Sequence, residues 1–305
     1  MSAATESICT LADLEAWSFS GTALAVVGRP VAHSLSPVLH NAALAELAKA
    51  QPRLGDWRYF KFDIAPDELK NALALFQKYK FRGLNLTVPH KSLAVEHLVT
   101  SDAFVRAAGA ANTLTLTDAG WHGANTDGIG LSSALRQDLG VELGGAHVVL
   151  LGAGGAARAA AVECLRLQCA SLWIGNRTPS SLQTLLASLQ TFTADARLQG
   201  FDLKHPPGDL PGGSVVINAT TLGLAAGDPA PLDLKKIPRP ARIYDMIYRP
   251  PQTALLREAA ELGIAHANGL SMLIHQGARA LELWTGLAVS VPIMQAAAHA
   301  ALKAG

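Results

Sequence analysis

Apolar residues along this chain fall into two recurring patterns. Short continuous runs bounded by glycine or proline alternate with stretches in which leucine and alanine return every three or four positions. The first pattern marks strands buried in a sheet, and the second marks helices that cover it. Residues 22–28 form such a run, residues 57–63 alternate as a half-covered strand would, and the strand beginning at Phe81 breaks at Pro89. Helices are predicted after Pro37, through Leu39, Leu44 and Leu47, and over residues 66–79 with Leu69, Leu73 and Phe76 inward. A hairpin is expected between Leu116 and Gly123, followed by an apolar helix carrying Ile129, Leu131, Ala134 and Leu135. The second half repeats the alternation. Strands are expected at 146–151, 171–175, 213–219, 243–248 and 263–267, with helices to about Leu167 and over 253–262. From Asn268 the chain is helical to its end, and with no further strand this tail is expected to pack back on the N-terminal part.

The run 146–151 opens into Gly152-Ala153-Gly154-Gly155-Ala156-Ala157, then an alanine-rich helix. The spacing G-x-G-x-x-A between a strand and a helix is the dinucleotide fingerprint, with alanine at its permitted third position. Gly152 makes the turn, Gly154 lets a pyrophosphate approach the backbone, and Ala157 allows close packing. The phosphates would sit on free N–H groups at the positive end of the helix. After the next strand, where an acidic residue would bond the adenosine ribose, stand Asn176, Arg177 and Thr178. A guanidinium there can pair with a 2′-phosphate that a carboxylate would repel, so the sequence favours NADP over NAD.

Composition narrows the setting. Of 305 residues about 50% are hydrophobic, and the formal charge is +1. That excludes a basic footprint for nucleic acid, and no apolar run reaches the length of a membrane helix. Residues 1–20 lack the basic start and long apolar core of a signal peptide. They are expected to be a short extension, loosely ordered or docked late. Cys9, Cys164 and Cys169 form no C-x-x-C pair, which points to reduced thiols in the cytoplasm. The ten histidines show no metal-binding spacing, so no metal is expected.

Candidate chemistry clusters at strand ends, where open α/β sheets bind ligands. Ser34 and Ser36 flank the start of the helix after Pro37. Ser36 is a natural N-cap, and two hydroxyls beside free backbone donors also suit a carboxylate. Asn85, Thr87 and Lys91 lie at the end of the strand broken by Pro89. The Asn-Thr pairs Asn112-Thr113 and Asn125-Thr126 supply the donors and acceptors that a polyol requires. Asp127, which could also cap its helix, is the candidate partner of Lys91, and Gln276 is an amide among apolar neighbours, either solvated or touching ligand.

Taken with Gly28-Arg29-Pro30, Asp245-Met246-Ile247-Tyr248-Arg249-Pro250 and Asn268-Gly269, these motifs stand in one order from about Leu24 onward. In that order the chain resembles the shikimate dehydrogenase family. The resemblance implies two α/β domains with a cleft between them. One is an N-terminal substrate-binding domain, residues 1–127, completed by the C-terminal helical segment 269–305; the other is a Rossmann-like domain, 128–268. It implies NADP-dependent interconversion of 3-dehydroshikimate and shikimate by a monomer or homodimer, with Lys91 and Asp127 as catalytic pair. Ser34, Ser36 and Tyr248 would take the substrate carboxylate, Thr87, Asn112, Asp127 and Gln276 the ring hydroxyls, and Asn85 would line the site. Gly152 to Ala156, Asn176, Arg177, Thr178, Thr220, Met246 and Gly269 would hold the cofactor. Ser36, rather than threonine, is the shikimate-type choice. Two alternatives remain: an NAD-dependent quinate/shikimate dehydrogenase, for which the lack of a second basic residue in Pro179-Ser180-Ser181-Leu182 speaks, and a silent small-molecule binder, which should have lost Lys91 or Asp127.

Overall fold

The computed structural model describes residues 7–190 and 198–304. Its contacts divide the chain into two units, Met1–Thr126 with Ile274–Gly305, and Asp127–Leu273. Both are α/β, with largely parallel sheets.

The first unit contains β1 (Ile8–Cys9), α1 (Leu11–Glu15), β2 (Ala23–Gly28), α2 (Ser36–Ala50), β3 (Arg58–Asp63), α3 (Leu69–Lys78) and β4 (Gly83–Leu86). A short turn of helix follows, α4 (His90–Leu93), then β5 (Thr100–Ser101), α5 (Ala103–Ala108) and the hairpin β6 (Thr113–Thr117) and β7 (Gly120–Ala124). The seven strands pair in the order β1-β3-β2-β4-β6-β7-β5. One register row crosses the sheet through Lys61, Val26, Asn85 and Thr113, so these four side chains share a face. The other face is apolar: Ala25, Val27, Phe60, Phe62, Leu84 and Leu86 meet Leu69, Leu73 and Phe76 of α3. Residues 59–62 are all buried. The alternation expected over 57–63 is therefore one of chemistry rather than exposure, because α2 packs on the face that carries Tyr59 and Lys61.

The second unit contains α6 (Asp127–Leu139), β8 (His147–Leu151), α7 (Gly155–Arg166), β9 (Ser171–Asn176), α8 (Pro179–Gln190), β10 (Leu198–Asp202), β11 (Val215–Asn218), β12 (Arg242–Asp245), α9 (Ala254–Glu261) and β13 (Ala265–Asn268). Six parallel strands pair as β10-β9-β8-β11-β12-β13. Counted from β8, that is the 3-2-1-4-5-6 order of a doubly wound dinucleotide-binding sheet. The strand expected over 243–248 ends at Asp245, which leaves Met246, Ile247 and Tyr248 in the loop beyond it. Two helices close the chain, α10 (Leu270–Thr285) and α11 (Val291–Ala304), the latter packed on α2. Trp284 of α10 donates its indole N–H to the Leu114 carbonyl at 3.0 Å.

The N-terminal segment is the clearest departure from expectation. Rather than docking loosely, β1 adds a parallel edge strand to β3, and a Thr10–Asp13 capping box starts α1. Leu14 is fully buried, and Trp17 lies edge-on to Phe60 at 4.9 Å between ring centres. Asp13 is held below the usual carboxylate range by hydrogen bonds from the Thr10 side chain and backbone. Leu14→Ala should therefore destabilise the first unit by about 2–4 kcal/mol, as a buried leucine does elsewhere. Denaturant titration measures this, and a change below about 0.5 kcal/mol would show that the segment stands outside the core.

Candidate active site

The site of the first unit grows from one face of its sheet. Asn85, on β4, accepts from the Tyr59 hydroxyl at 2.8 Å and donates to the Asn112 carbonyl and the Thr113 hydroxyl, both at 3.2 Å. Asn112, just before β6, donates to the Thr126 hydroxyl at 3.0 Å and to the Gln276 carboxamide at 3.2 Å. Its own oxygen accepts from the Thr126 backbone N–H at 2.7 Å and from the Thr113 hydroxyl at 3.0 Å. Asn125 donates to the Ala110 carbonyl. Asn112, Thr113 and Thr126 thus satisfy one another in a buried network, where every unmade bond would be costly. They brace the surface beside them at least as much as they present groups to a ligand. Gln276 is buried, so its solvated reading does not hold.

Thr87, half-buried beyond β4, has a hydroxyl without a partner among the described residues; its carbonyl accepts from the His90 N–H at 2.8 Å. Lys91 is the second residue of α4 rather than part of a strand end, and its carbonyl accepts from Ala111 N–H. Asp127 is buried, opens α6, and follows directly on Thr126, whose backbone Asn112 holds. Ser36 is not the N-cap: it is the first residue of α2, and its N–H donates to the Ser34 hydroxyl at 3.3 Å. The Ser36 side chain in turn bonds to Tyr59, whose phenol burial raises well above its ordinary pKa. Under Tyr59 lies His40, stacked at 4.1 Å and 3°. Neither His40 ring nitrogen has a partner among the described residues, and burial lowers its pKa to about 3.

In the second unit the glycine turn lies between β8 and β11, where the strand order reverses. Gly152 has φ +115°, and a Cβ there would stand 2.9 Å from the Ala219 carbonyl, so the fold itself demands glycine. Ala153 is buried, and Gly155 and Ala156 start α7. Gly154 is different. It is exposed with φ −80°, a Cβ on it would meet nothing within 4 Å, and α7 has no side-chain cap. Nothing inside the protein requires glycine there, and the bare helix terminus fits a pyrophosphate. At the end of β9, Asn176 donates to the Thr178 carbonyl and Arg177 is exposed. Asp228 lies within electrostatic reach of Arg177; backbone N–H groups of Gly223 and Ala225 hold its carboxyl below the ordinary range.

The loops after β11 and β12 hang on a buried pair that sequence reading did not single out. Asp245 accepts from Asn218 at 3.0 Å, from Ile247 N–H at 3.0 Å and from the Thr253 hydroxyl at 2.6 Å. Burial raises its pKa despite those bonds. Asn218 also accepts from the Thr220 N–H and hydroxyl. Gly269 admits the Met246 carbonyl, which a Cβ would meet at 2.0 Å. Thr220, Met246 and Gly269 are thereby fixed at neighbouring strand ends, and Tyr248 stands half-buried beyond them. Among the described residues no group of three His, Cys, Asp or Glu is placed to hold a metal, and no helix is long and apolar enough to cross a membrane.

A doubly wound sheet with its glycine turn at the switch point, joined to a second α/β unit with a polar sheet face, defines a dinucleotide-dependent enzyme of the α/β class. Residues 26–114 match the shikimate dehydrogenase substrate-binding domain, and residues 269–299 the shikimate 5′-dehydrogenase C-terminal domain. The shikimate dehydrogenase (NADP(+)) of Geobacter metallireducens is 35% identical over 282 residues, 92% of this chain and 96% of that protein. The Thermus thermophilus shikimate 5-dehydrogenase, solved in complex with NADP(H) and shikimate, gives a TM-score of 0.78 at 35% identity, covering 92% of this chain and 99% of that one. A quinate dehydrogenase from Corynebacterium glutamicum, solved with NAD, gives 0.79 at 26% identity over 92% and 99%. The chain belongs to the shikimate dehydrogenase family.

Gly152→Ala should destabilise the second unit by about 1–3 kcal/mol through strain and the Ala219 contact. Gly154→Ala should stay within about 1 kcal/mol of the parent while raising the KM for dinucleotide tenfold or more; thermal melts and saturation kinetics separate the two. His40 has a native pKa of about 3 against 6.5 unfolded, so as pH falls below 6.5 the unfolded chain takes up a proton that the native one refuses. Stability is lost across that window, by up to about 1.4 kcal/mol per pH unit. His40→Phe should flatten this acid limb in denaturation midpoints measured from pH 7 to 4.

Proposed function

We propose that the chain catalyses the reversible, NADP-dependent reduction of 3-dehydroshikimate to shikimate. The reading rests on Lys91 and Asp127 both standing in a chain that aligns, over nearly its whole length, with NADP-dependent shikimate dehydrogenases. The cofactor, when bound, supplies or accepts the hydride. The protein's part is orientation and proton handling. Lys91 gives a proton to the carbonyl oxygen as it becomes an alkoxide and removes one from the alcohol in the reverse direction, with Asp127 as the carboxylate that works with it. Ser34 and Ser36 present hydroxyls to the substrate carboxylate, an assignment that extends to Tyr248. Thr87 offers its hydroxyl to the ring, and Asn112 and Gln276 are the carboxamides assigned to the ring hydroxyls beside it. Asn85, whose two amide hydrogens are already engaged, orients its neighbours.

Gly152, Ala153, Gly154, Gly155 and Ala156 would cradle the pyrophosphate, Asn176, Arg177 and Thr178 the adenosine end, and Thr220, Met246 and Gly269 the nicotinamide end. Arg177, at the position where NAD-binding sheets carry an acid, supports NADP. An NAD-dependent, quinate-using reading is supported by the likeness to the quinate dehydrogenase and by the nearby Asp228, which counters the Arg177 charge. We place the enzyme in a reducing compartment, the cytoplasm, since Cys9, Cys164 and Cys169 are all free thiols, and take it to act as a monomer or homodimer.

The test is a steady-state comparison of shikimate and quinate, each with NADP and with NAD. A clear preference in kcat/KM for shikimate with NADP is expected; comparable quinate oxidation or preference for NAD would move the protein to the other reading. Lys91→Ala should lower kcat by about 10²–10⁴-fold and leave the shikimate KM within tenfold. A loss confined to KM would remove Lys91 from proton transfer.

A further inference from the structure

Beneath the loop that carries Ser34 and Ser36 lies a cation to which the reaction gives no role. Lys61, on β3, is only 8% exposed, and its ammonium donates to the Ala32 carbonyl at 3.0 Å. No carboxylate of the described residues lies within 4.0 Å of it; the nearby Asp63 pairs instead with Arg29 at 3.5 Å. Tyr59, two residues earlier on the same sheet face, bonds to Ser36. Alternate residues of one strand thus support both ends of the segment 32–36, Lys61 by charge at Ala32 and Tyr59 by hydroxyl at Ser36. A carbonyl answers one of the three ammonium donors and none of the charge, and an ammonium so deeply placed is poorly compensated by a carbonyl alone. An anion seated on the two serines would complete the pair.

We propose that Lys61 is a specificity-determining residue, selecting an anionic substrate by placing positive charge under the Ser34–Ser36 cradle. The inference rests on the shikimate reading above, in which that cradle holds the carboxylate. Hydroxyls alone recognise the shape of a carboxyl group and accept a neutral ester almost as well as an acid. A buried charge tells the two apart, because it acts through low dielectric and is little screened by salt.

The experiment compares shikimate with its methyl ester, each with NADP, in the parent, Lys61→Met, Lys61→Gln and Lys61→Arg. Oxidation of shikimate by the parent tests the underlying reading separately. For Lys61→Met and Lys61→Gln, the shikimate KM should rise tenfold or more with kcat within threefold, while the KM for the ester stays unchanged. Lys61→Arg should restore discrimination, since charge and reach are kept. Equal rises for acid and ester would make Lys61 a prop for the loop and overturn the proposal, as would no change for either. If one neutral variant fails to fold, as its melting curve would reveal, the other carries the comparison.

Discussion

One buried carboxamide, that of Asn112, governs the polar side of the first unit. A side chain with two donors and one acceptor oxygen reaches β6, Thr126 and Gln276 at once. Chain separations of 14 and 164 residues are closed by groups that cannot be left unpaired away from water. The geometry is consequently over-determined: to move Gln276 or the backbone at Thr126 is to break bonds elsewhere. Asp127 follows Thr126 directly, so a residue assigned to chemistry inherits its backbone position from a residue assigned to binding.

The second unit solves the same problem with a different pair. Asn218 and Asp245 face each other at the ends of adjacent strands and turn both following loops by bonding their backbones. A carboxylate does this with three donors, at the expense of a raised affinity for protons. In both units, then, the strand ends are shaped by buried side chains, and the ligand-facing groups are their dependants.

Much of this was legible in the sequence because parallel sheets write themselves as unbroken apolar runs. Strands β8, β9, β11 and β12 of the second sheet lie within the apolar runs at and after the fingerprint, and β6 and β7 form the expected hairpin. What escaped did so for physical reasons. Leu198–Asp202 is an edge strand with little burial, so it lacks the apolar run that would announce it. Lys61 sits in an alternating stretch, where a lysine reads as the solvated side; only a helix on that face, not the local pattern, makes it buried. Asp245 fell inside the strand expected over 243–248, and its part in holding the loops stayed hidden because its partners are 8 and 27 positions away. The segment before Ala23 carried a usable signal, the Thr10–Asp13 spacing ahead of Leu14 and Trp17, but a two-residue strand is below what periodicity can detect.

That segment has a further consequence, for the order in which the chain comes together. Ile8 pairs with Lys61, so the strand is synthesised more than fifty residues before its partner exists. Closing so long a loop is entropically unfavourable and comes after local hairpins and helices have formed. Until then the outer edge of β3 presents unpaired N–H and C=O groups, the kind of surface on which strands of other chains add. The N-terminal strand acts as a latch: it seals an edge whose neighbours are already in place, and the molecule is most exposed to mispairing in the interval before it closes.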